Sequence, residues 1–131
     1  MQIGVESARA VENRRIFVVD TDEIIRAALQ FMLHDENEAH EIDSIEAAVK
    51  KAADWPPDLV LVGQSLLQGA GPDALTRLRE ALPQTPVVLV GHAEDATVAQ
   101  AVAAASYPLI ALPLRLEPVR EAVDRALGRT A

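Results

Sequence analysis

The strongest constraint on the fold is the regular alternation of short apolar runs with segments of helical periodicity. Two runs, Leu59 to Val62 and Val87 to Val90, are apolar at every position, which is typical of strands covered on both faces. The runs at residues 16–19 and 109–112 are similar, and each run precedes a stretch whose apolar residues recur every three or four positions. This pattern predicts an α/β domain with a parallel sheet built from βαβ units.

The remaining strand and the ends of the chain are less clearly marked. A second strand is predicted around Ala39 to Asp43, where Glu41 and Asp43 interrupt the apolar pattern, and a short polar strand of this kind is typical of a sheet edge. Ser44 is the predicted N-cap of the next helix. The 131 residues fit one domain. Residues 1–14 are predicted to be an N-terminal tail or linker, 15–128 the domain, and 129–131 a C-terminal tail.

Composition narrows the classes of function. The net charge is −8 and no basic stripe is present, which argues against nucleic acid as a partner. The absence of cysteine excludes disulfides, thiolate metal ligands and cysteine nucleophiles. No apolar run approaches the roughly 18 residues of a membrane helix, and residues 1–14 lack the layout of a signal peptide. We therefore expect a cytoplasmic protein that binds neither nucleic acid nor membrane.

Four segments resemble the receiver domain of two-component response regulators, over about residues 14–128. They are RIFVVDTDEIIR from Arg15, PDLVLVG from Pro57, TPVVLVG from Thr85 and LIALP from Leu109. The resemblance implies a flavodoxin-like (βα)5 three-layer sandwich with a five-stranded parallel sheet in the order 2-1-3-4-5. It also implies that the functional positions lie at the carboxyl ends of strands 1, 3, 4 and 5.

Receivers hold Mg²⁺ with an acidic pair after strand 1 and accept a phosphoryl group on an aspartate that ends strand 3. A Ser or Thr after strand 4 and a Lys before the proline after strand 5 contact that group. By resemblance, these positions of a vestigial phosphorylation pocket fall on Asp20, Thr21, Gly63, Gly91, Leu112 and Pro113. Glycine has no side-chain oxygen on which an acyl phosphate can form. One carboxylate beside a threonine is also a poor Mg²⁺ site.

The chain is therefore predicted to be a non-phosphorylatable pseudo-receiver with no catalytic residue, metal or cofactor. It would not be an enzyme but a module that binds proteins in two-component-type signal transduction or assembly. Receivers usually contact partners through the fourth helix, fifth strand and fifth helix, and small side chains there permit close approach of a partner or a second copy. The predicted face consists of Val98, Ala101, Val102, Ala105, Leu109, Leu116 and Val119.

An alternative function belongs to another class. Two glycines at strand ends open space, so a small-molecule or nucleotide sensor using the vacated pocket between Asp20, Gly63 and Gly91 is the second hypothesis. An enzymatic interpretation also exists, because Asp20 and Asp22 are spaced like the two aspartates of haloacid-dehalogenase-type phosphatases. The later lysine and acidic pair that those enzymes need are missing at Gly63 and Gly91.

Four smaller features keep two interpretations each. The glycine-rich segment 68–72 before a helix is either a plain loop or an anion site. His92 is either a loop residue or a metal ligand with Asp20 and Asp22. Trp55 either caps the core or anchors a partner. The Leu112–Pro113 bond is predicted to be cis, from the resemblance and from the small trans preference of proline.

Overall fold

A parallel sheet of five strands forms the centre of the protein. The computed structural model describes residues 14–71 and 73–129. The strands are β1 (Arg14–Val19), β2 (Asn37–Ile42), β3 (Leu59–Gly63), β4 (Val87–Gly91) and β5 (Leu109–Ala111). All adjacent pairs are parallel and the order is β2-β1-β3-β4-β5, which confirms the predicted topology. The tail predicted at residues 1–14 lies outside the described residues, except for Arg14.

The described residues form six helices. They are α1 (Glu23–Leu33), α2 (Ile45–Asp54), α3 (Gln64–Ala70), α4 (Asp73–Ala81), α5 (Ala96–Ala105) and α6 (Leu116–Ala126). None of them combines the length and apolar character that crossing a bilayer requires. The helix α3 was not predicted. It forms directly after β3 because Leu66 and Leu67 bury their side chains in the core, and it ends at Gly71, whose φ is 83°.

Side-chain caps begin α1, α2 and α5, the helices that follow β1, β2 and β4. Asp22 accepts hydrogen bonds from the backbone N–H groups of Ile24 and Ile25 at 3.0 and 3.2 Å. Ser44 accepts one from Ala47 at 3.0 Å, which confirms the predicted cap of α2. Each cap satisfies amide groups that have no partner within the helix. Asp22 therefore has a structural role at the start of α1.

The core lies in two layers, one on each face of the sheet. Phe17, Val60 and Leu89 belong to the layer that α2, α3 and α4 cover and that α5 borders. Ile16, Leu61 and Val88 belong to the layer against α1 and α6. Successive residues of a strand point to opposite faces, so a strand covered on both sides is apolar throughout. This arrangement leaves the strand ends as the place where polar side chains can gather.

Candidate functional site

Asp20 lies at the carboxyl end of β1 and is only 2% exposed. Its carboxylate Oδ1 accepts a hydrogen bond from the backbone N–H of Leu66, in α3, at 3.1 Å. Its backbone carbonyl accepts one from the Arg26 guanidinium at 2.9 Å. The acidic side chain is thus held across the end of the sheet, against the junction of β3 and α3.

The Asp20 carboxyl group occupies the space beside Gly63. A Cβ atom built on Gly63 would lie 2.0 Å from Oδ2 and 2.1 Å from Cγ of Asp20. Carbon atoms in contact are ordinarily about 3.5–4 Å apart, so no side chain at position 63 is compatible with this placement of Asp20. Gly63, which the sequence resemblance assigned to the phosphoacceptor position, is therefore a glycine whose side-chain space is filled by Asp20.

Burial dominates the electrostatics of Asp20. Desolvation raises the pKa of its carboxyl group above the ordinary value of 3.8, and the negative charge of Asp22 acts in the same direction. Backbone N–H groups of Asp22, Leu66 and Thr21 act against this rise. Among the described residues no ion pair includes Asp20, and Arg26 pairs instead with Glu41 at 3.2 Å. The carboxyl group therefore has hydrogen-bond donors but no cationic partner.

Gln64 fills the corresponding space at the end of β4. A Cβ atom on Gly91 would lie 2.8 Å from Oε1 of Gln64 and 2.9 Å from Cγ2 of Val98. The same Oε1 accepts a hydrogen bond from the backbone N–H of His92 at 2.7 Å. Gln64 thus joins the ends of β3 and β4. Sequence reasoning missed this residue, and only its position directly after Gly63 could have drawn attention to it.

The pocket that we expected to be vacated is therefore occupied beside both glycines. Asp20 fills the space at Gly63 and Gln64 fills the space at Gly91, because protein interiors leave few voids and neighbouring side chains move into available space. Of the other positions that the resemblance assigned to the pocket, Thr21 is exposed and Leu112 packs against the core layer of α1 and α6. The Leu112–Pro113 bond is cis, as predicted.

The metal-site interpretation of His92 is not supported. In the described part of the chain, no three His, Asp or Glu side chains are grouped closely enough to hold an ion. The segment at 68–70 is the end of α3 rather than a loop, and Pro72 lies outside the described residues.

Trp55 does not cap the core. The residue is 54% exposed, and the Arg15 guanidinium lies 5.1 Å from the centroid of the Trp55 ring. The backbone N–H of Arg15 donates to Asp58 at 2.8 Å. This contact lies near the amino-terminal ends of β1 and β3, away from Asp20 at the carboxyl end of β1. The core-cap interpretation is therefore wrong, while a role in binding a partner stays a prediction.

The predicted interaction face is smaller than expected. Val98 and Val119 are fully buried, so these two residues were wrongly placed on the face. Their side chains point inward because they supply the apolar positions with which α5 and α6 pack on the sheet. Ala105 is exposed, and Leu116 is 43% exposed. Ala101, Val102 and Leu109 are partly buried.

Comparisons with known proteins agree with this architecture. The family model for the response regulator receiver domain matches residues 16–124. Among solved structures, NtrX from Brucella abortus has a TM-score of 0.78 and 28% identity, covering 88% of this chain and 28% of its own. The receiver domain of the same protein has a TM-score of 0.73 and 26% identity, covering 88% of this chain and 99% of its own.

A further match comes from another organism. The signal receiver domain of an HD domain-containing protein from Pseudomonas fluorescens Pf-5 has a TM-score of 0.77 and 25% identity, covering 89% of this chain and 88% of its own. No curated protein matches the chain significantly. The chain spans just over a quarter of the length of the longer NtrX chains that it matches. Because the family model covers residues 16–124 and the receiver sheet is complete, this chain belongs to the response regulator receiver domain family.

Proposed function

We propose that this receiver domain works without accepting a phosphoryl group and acts as a protein-binding module in a cytoplasmic, two-component-type pathway or assembly. The observation that carries the proposal is the position of the Asp20 carboxyl group, which fills the side-chain space of Gly63. A pseudo-receiver of this kind keeps the fold of its family and gives up the phosphoryl chemistry at the strand ends.

The chemistry of acyl-phosphate formation supports this proposal. A carboxylate must reach the phosphorus atom of the donor to form the new bond. Position 63 has no carboxylate, and Asp20 is buried with its Oδ1 committed to the Leu66 N–H. Stabilising the charge that develops on the transferred group also requires cations. At the position of the usual lysine, Leu112 offers an apolar side chain that packs on the core.

The consequence for signalling is a surface that does not depend on phosphorylation. Gln64 bridges the ends of β3 and β4 through the His92 N–H, and both partners of this bond are groups of the protein itself. The first residue of the loop after β4 is thereby tied to α3. We propose that this tie keeps the loop in one arrangement, that partners recognise that arrangement, and that information enters through the binding of partners.

The direct test is incubation of the purified domain with acetyl phosphate and Mg²⁺, followed by intact-mass spectrometry. The expected result is no added phosphoryl mass under conditions that modify a receiver with the complete pocket, which serves as the positive control. Beryllofluoride with Mg²⁺ is expected to leave the amide NMR spectrum unchanged. Stoichiometric modification would contradict the proposal, and its loss in Asp20→Asn would identify Asp20 as the acceptor.

The sensor hypothesis for the same pocket loses its support. That hypothesis depended on space beside Gly63 and Gly91, and Asp20 and Gln64 occupy this space. A ligand would have to displace a buried carboxyl group and a glutamine that is hydrogen-bonded to the backbone.

A further inference from the structure

A long groove runs between α4 and α5, with a volume of about 810 Å³. Its lining on α5 extends from Thr97 to Ala105, which is nearly the whole helix. Leu67, Leu75 and Ala101 supply apolar surface, and the apolar part of the lining exceeds the polar part. None of Asp20, Gly63 and Gly91 contributes to it. The groove is therefore separate from the site at the strand ends.

Side-chain contacts lie at both ends of the groove. At the end near the start of α5, the amide of the lining residue Gln68 donates at 2.7 Å to the carboxylate of Asp95, which lies outside the lining. At the end near the last turns of α4 and α5, the Arg79 guanidinium lies 5.6 Å from the Tyr107 ring centroid and donates to its hydroxyl at 3.2 Å. The apolar groove thus has a cation, the Arg79 guanidinium, held against Tyr107 at one end.

The charge on Arg79 is not neutralised by a carboxylate among the described residues. Arg77, on the same helix, pairs with Glu46, whereas Arg79 makes its contacts with Tyr107. Glu80 also lines the groove, but neighbouring residues of a helix project about 100° apart and do not share one position. The guanidinium that Tyr107 holds is the preorganised charge of the groove and suits a carboxylate.

We infer that this groove binds a small organic anion with an apolar body, whose carboxylate lies at Arg79 and whose hydrocarbon part lies along Leu75 and Ala101. Ligand pockets commonly have volumes of roughly 300–1,000 Å³ and mostly apolar linings with a few polar groups that orient the ligand. The groove has these properties. The inference does not depend on the phosphorylation proposal, so either can fail without the other.

The test is an NMR titration of the ¹⁵N-labelled domain with octanoate, octanol and octylammonium, three probes with the same chain and different ends. Octanoate is expected to shift amide signals of α4 and α5 with a Kd on the order of a millimolar. Octanol is expected to bind more weakly and octylammonium most weakly. No binding of octanoate at several times this concentration, or a preference for octylammonium, would overturn the inference.

Matched variants locate the site. Ala104→Phe places a ring in the groove and is expected to weaken octanoate binding at least tenfold, whereas Ala103→Phe alters an exposed neighbour outside the lining and leaves binding unchanged. Arg79→Gln is expected to weaken octanoate about two- to fivefold, the size of an exposed charge contact, and to leave octanol unaffected. Arg77→Gln removes a cation outside the groove lining and is the control, which is expected to bind octanoate as the wild type does. Equal binding by wild type and Ala104→Phe would refute the groove as the site.

Discussion

At the scale of single residues, Asp20 and Gly63 form one structural unit. The carboxyl group of one residue uses the space that the other leaves by having no side chain. Asp20 is also among the few buried polar residues of the described chain, and the Leu66 N–H satisfies its Oδ1. Buried polar groups are tolerated when they are hydrogen-bonded. The placement of Asp20 therefore depends both on the space beside Gly63 and on the hydrogen bond from Leu66.

Gly63→Ala is expected to lower the free energy of unfolding by about 1–3 kcal/mol, because its Cβ would overlap the Asp20 carboxyl group. Gly69→Ala is the matched control. Its Cβ would meet no atom within 4 Å, and alanine is expected to stabilise α3 by up to about 1 kcal/mol. Urea denaturation measures both effects. A Gly63→Ala variant as stable as the Gly69→Ala variant would contradict the overlap.

The raised pKa of Asp20 predicts a specific pH dependence. The native state holds the proton of the Asp20 carboxyl group more tightly than the unfolded state does. Between pH 3.8 and the raised pKa, the native state therefore binds more protons than the unfolded state. The Asp20 contribution to the free energy of unfolding is then largest below 3.8 and is lost as pH rises through the raised pKa. Above this pH window, the wild type is expected to have a lower free energy of unfolding than Asp20→Asn. This difference should shrink as pH falls through the window.

Chemical denaturation at a series of pH values measures this difference. Subtracting the Asp20→Asn curve removes the contributions of groups such as Glu38, whose pKa is lowered by its bond to Arg15 and which therefore acts with the opposite sign. Two parallel curves across the acidic range would show that Asp20 has no raised pKa.

At the scale of elements, α3 follows β3 without a loop and brings Gln64 over the end of β4. The Gln64 side chain contacts the Gly91 position and accepts from the His92 N–H at 2.7 Å. This contact connects the start of one helix with the loop that precedes α5. The ends of β3 and β4 are thereby tied together by a side chain.

Gln64→Ala is expected to reduce the free energy of unfolding by about 0.5–1.5 kcal/mol and to increase amide hydrogen exchange at His92 several-fold, because the N–H loses its acceptor. Gln68→Ala removes a side-chain bond to Asp95 on the surface and serves as the control. It should leave the His92 exchange rate unchanged. Equal exchange at His92 in both variants would mean that Gln64 does not hold this loop.

The elements differ in how well sequence predicts them. The strands β3 and β4 are predictable because burial on both faces makes them apolar up to their terminal glycines, and β1 is predictable because it is apolar from Ile16 to Val19. The edge strand β2 was expected at 39–43 and forms at Asn37–Ile42, because pairing with β1 sets its register, beginning at Arg14 and Asn37. The helix α3 was missed because Gly69, Gly71 and Pro72 resemble a turn.

The site was predictable to a similar extent. Spacing from the apolar strands identifies Gly63 and Gly91 at the strand ends. Their filling by Asp20 and Gln64 depends on side-chain conformations that only three-dimensional packing selects, so the pocket was wrongly expected to be open. Val98 and Val119 were misplaced because sequence periodicity shows an apolar stripe without showing which part of it the sheet covers.

At the scale of the whole molecule, the two layers leave some apolar side chains without a covering element. Leu116, at the start of α6, is 43% exposed, and Ala105, the last residue of α5, is also an exposed member of the predicted interaction face. Exposed apolar side chains that sit singly are ordinary, whereas a contiguous group is typical of an interface. The face therefore needs a test at the level of assembly.

Leu116→Glu is expected to weaken self-association at least tenfold in sedimentation equilibrium, because dimerisation through this face would bury an unpaired charge. Ala53→Glu, which adds the same charge on the exposed surface of α2, is the control and should associate as wild type does. A monomeric wild type, or a Leu116→Glu variant that associates normally, would contradict a homodimer through this face.

Under the proposal that the domain accepts no phosphoryl group, the overlap at position 63 also determines how it could be converted into a phosphate-accepting switch. Gly63→Asp alone would place two carboxyl groups in one buried volume, beside the negative charge of Asp22. Asp20 would first have to leave the Leu66 N–H and turn towards solvent, and Leu112 would have to become a cation. Introducing that chemistry at position 63 would therefore require several coordinated substitutions.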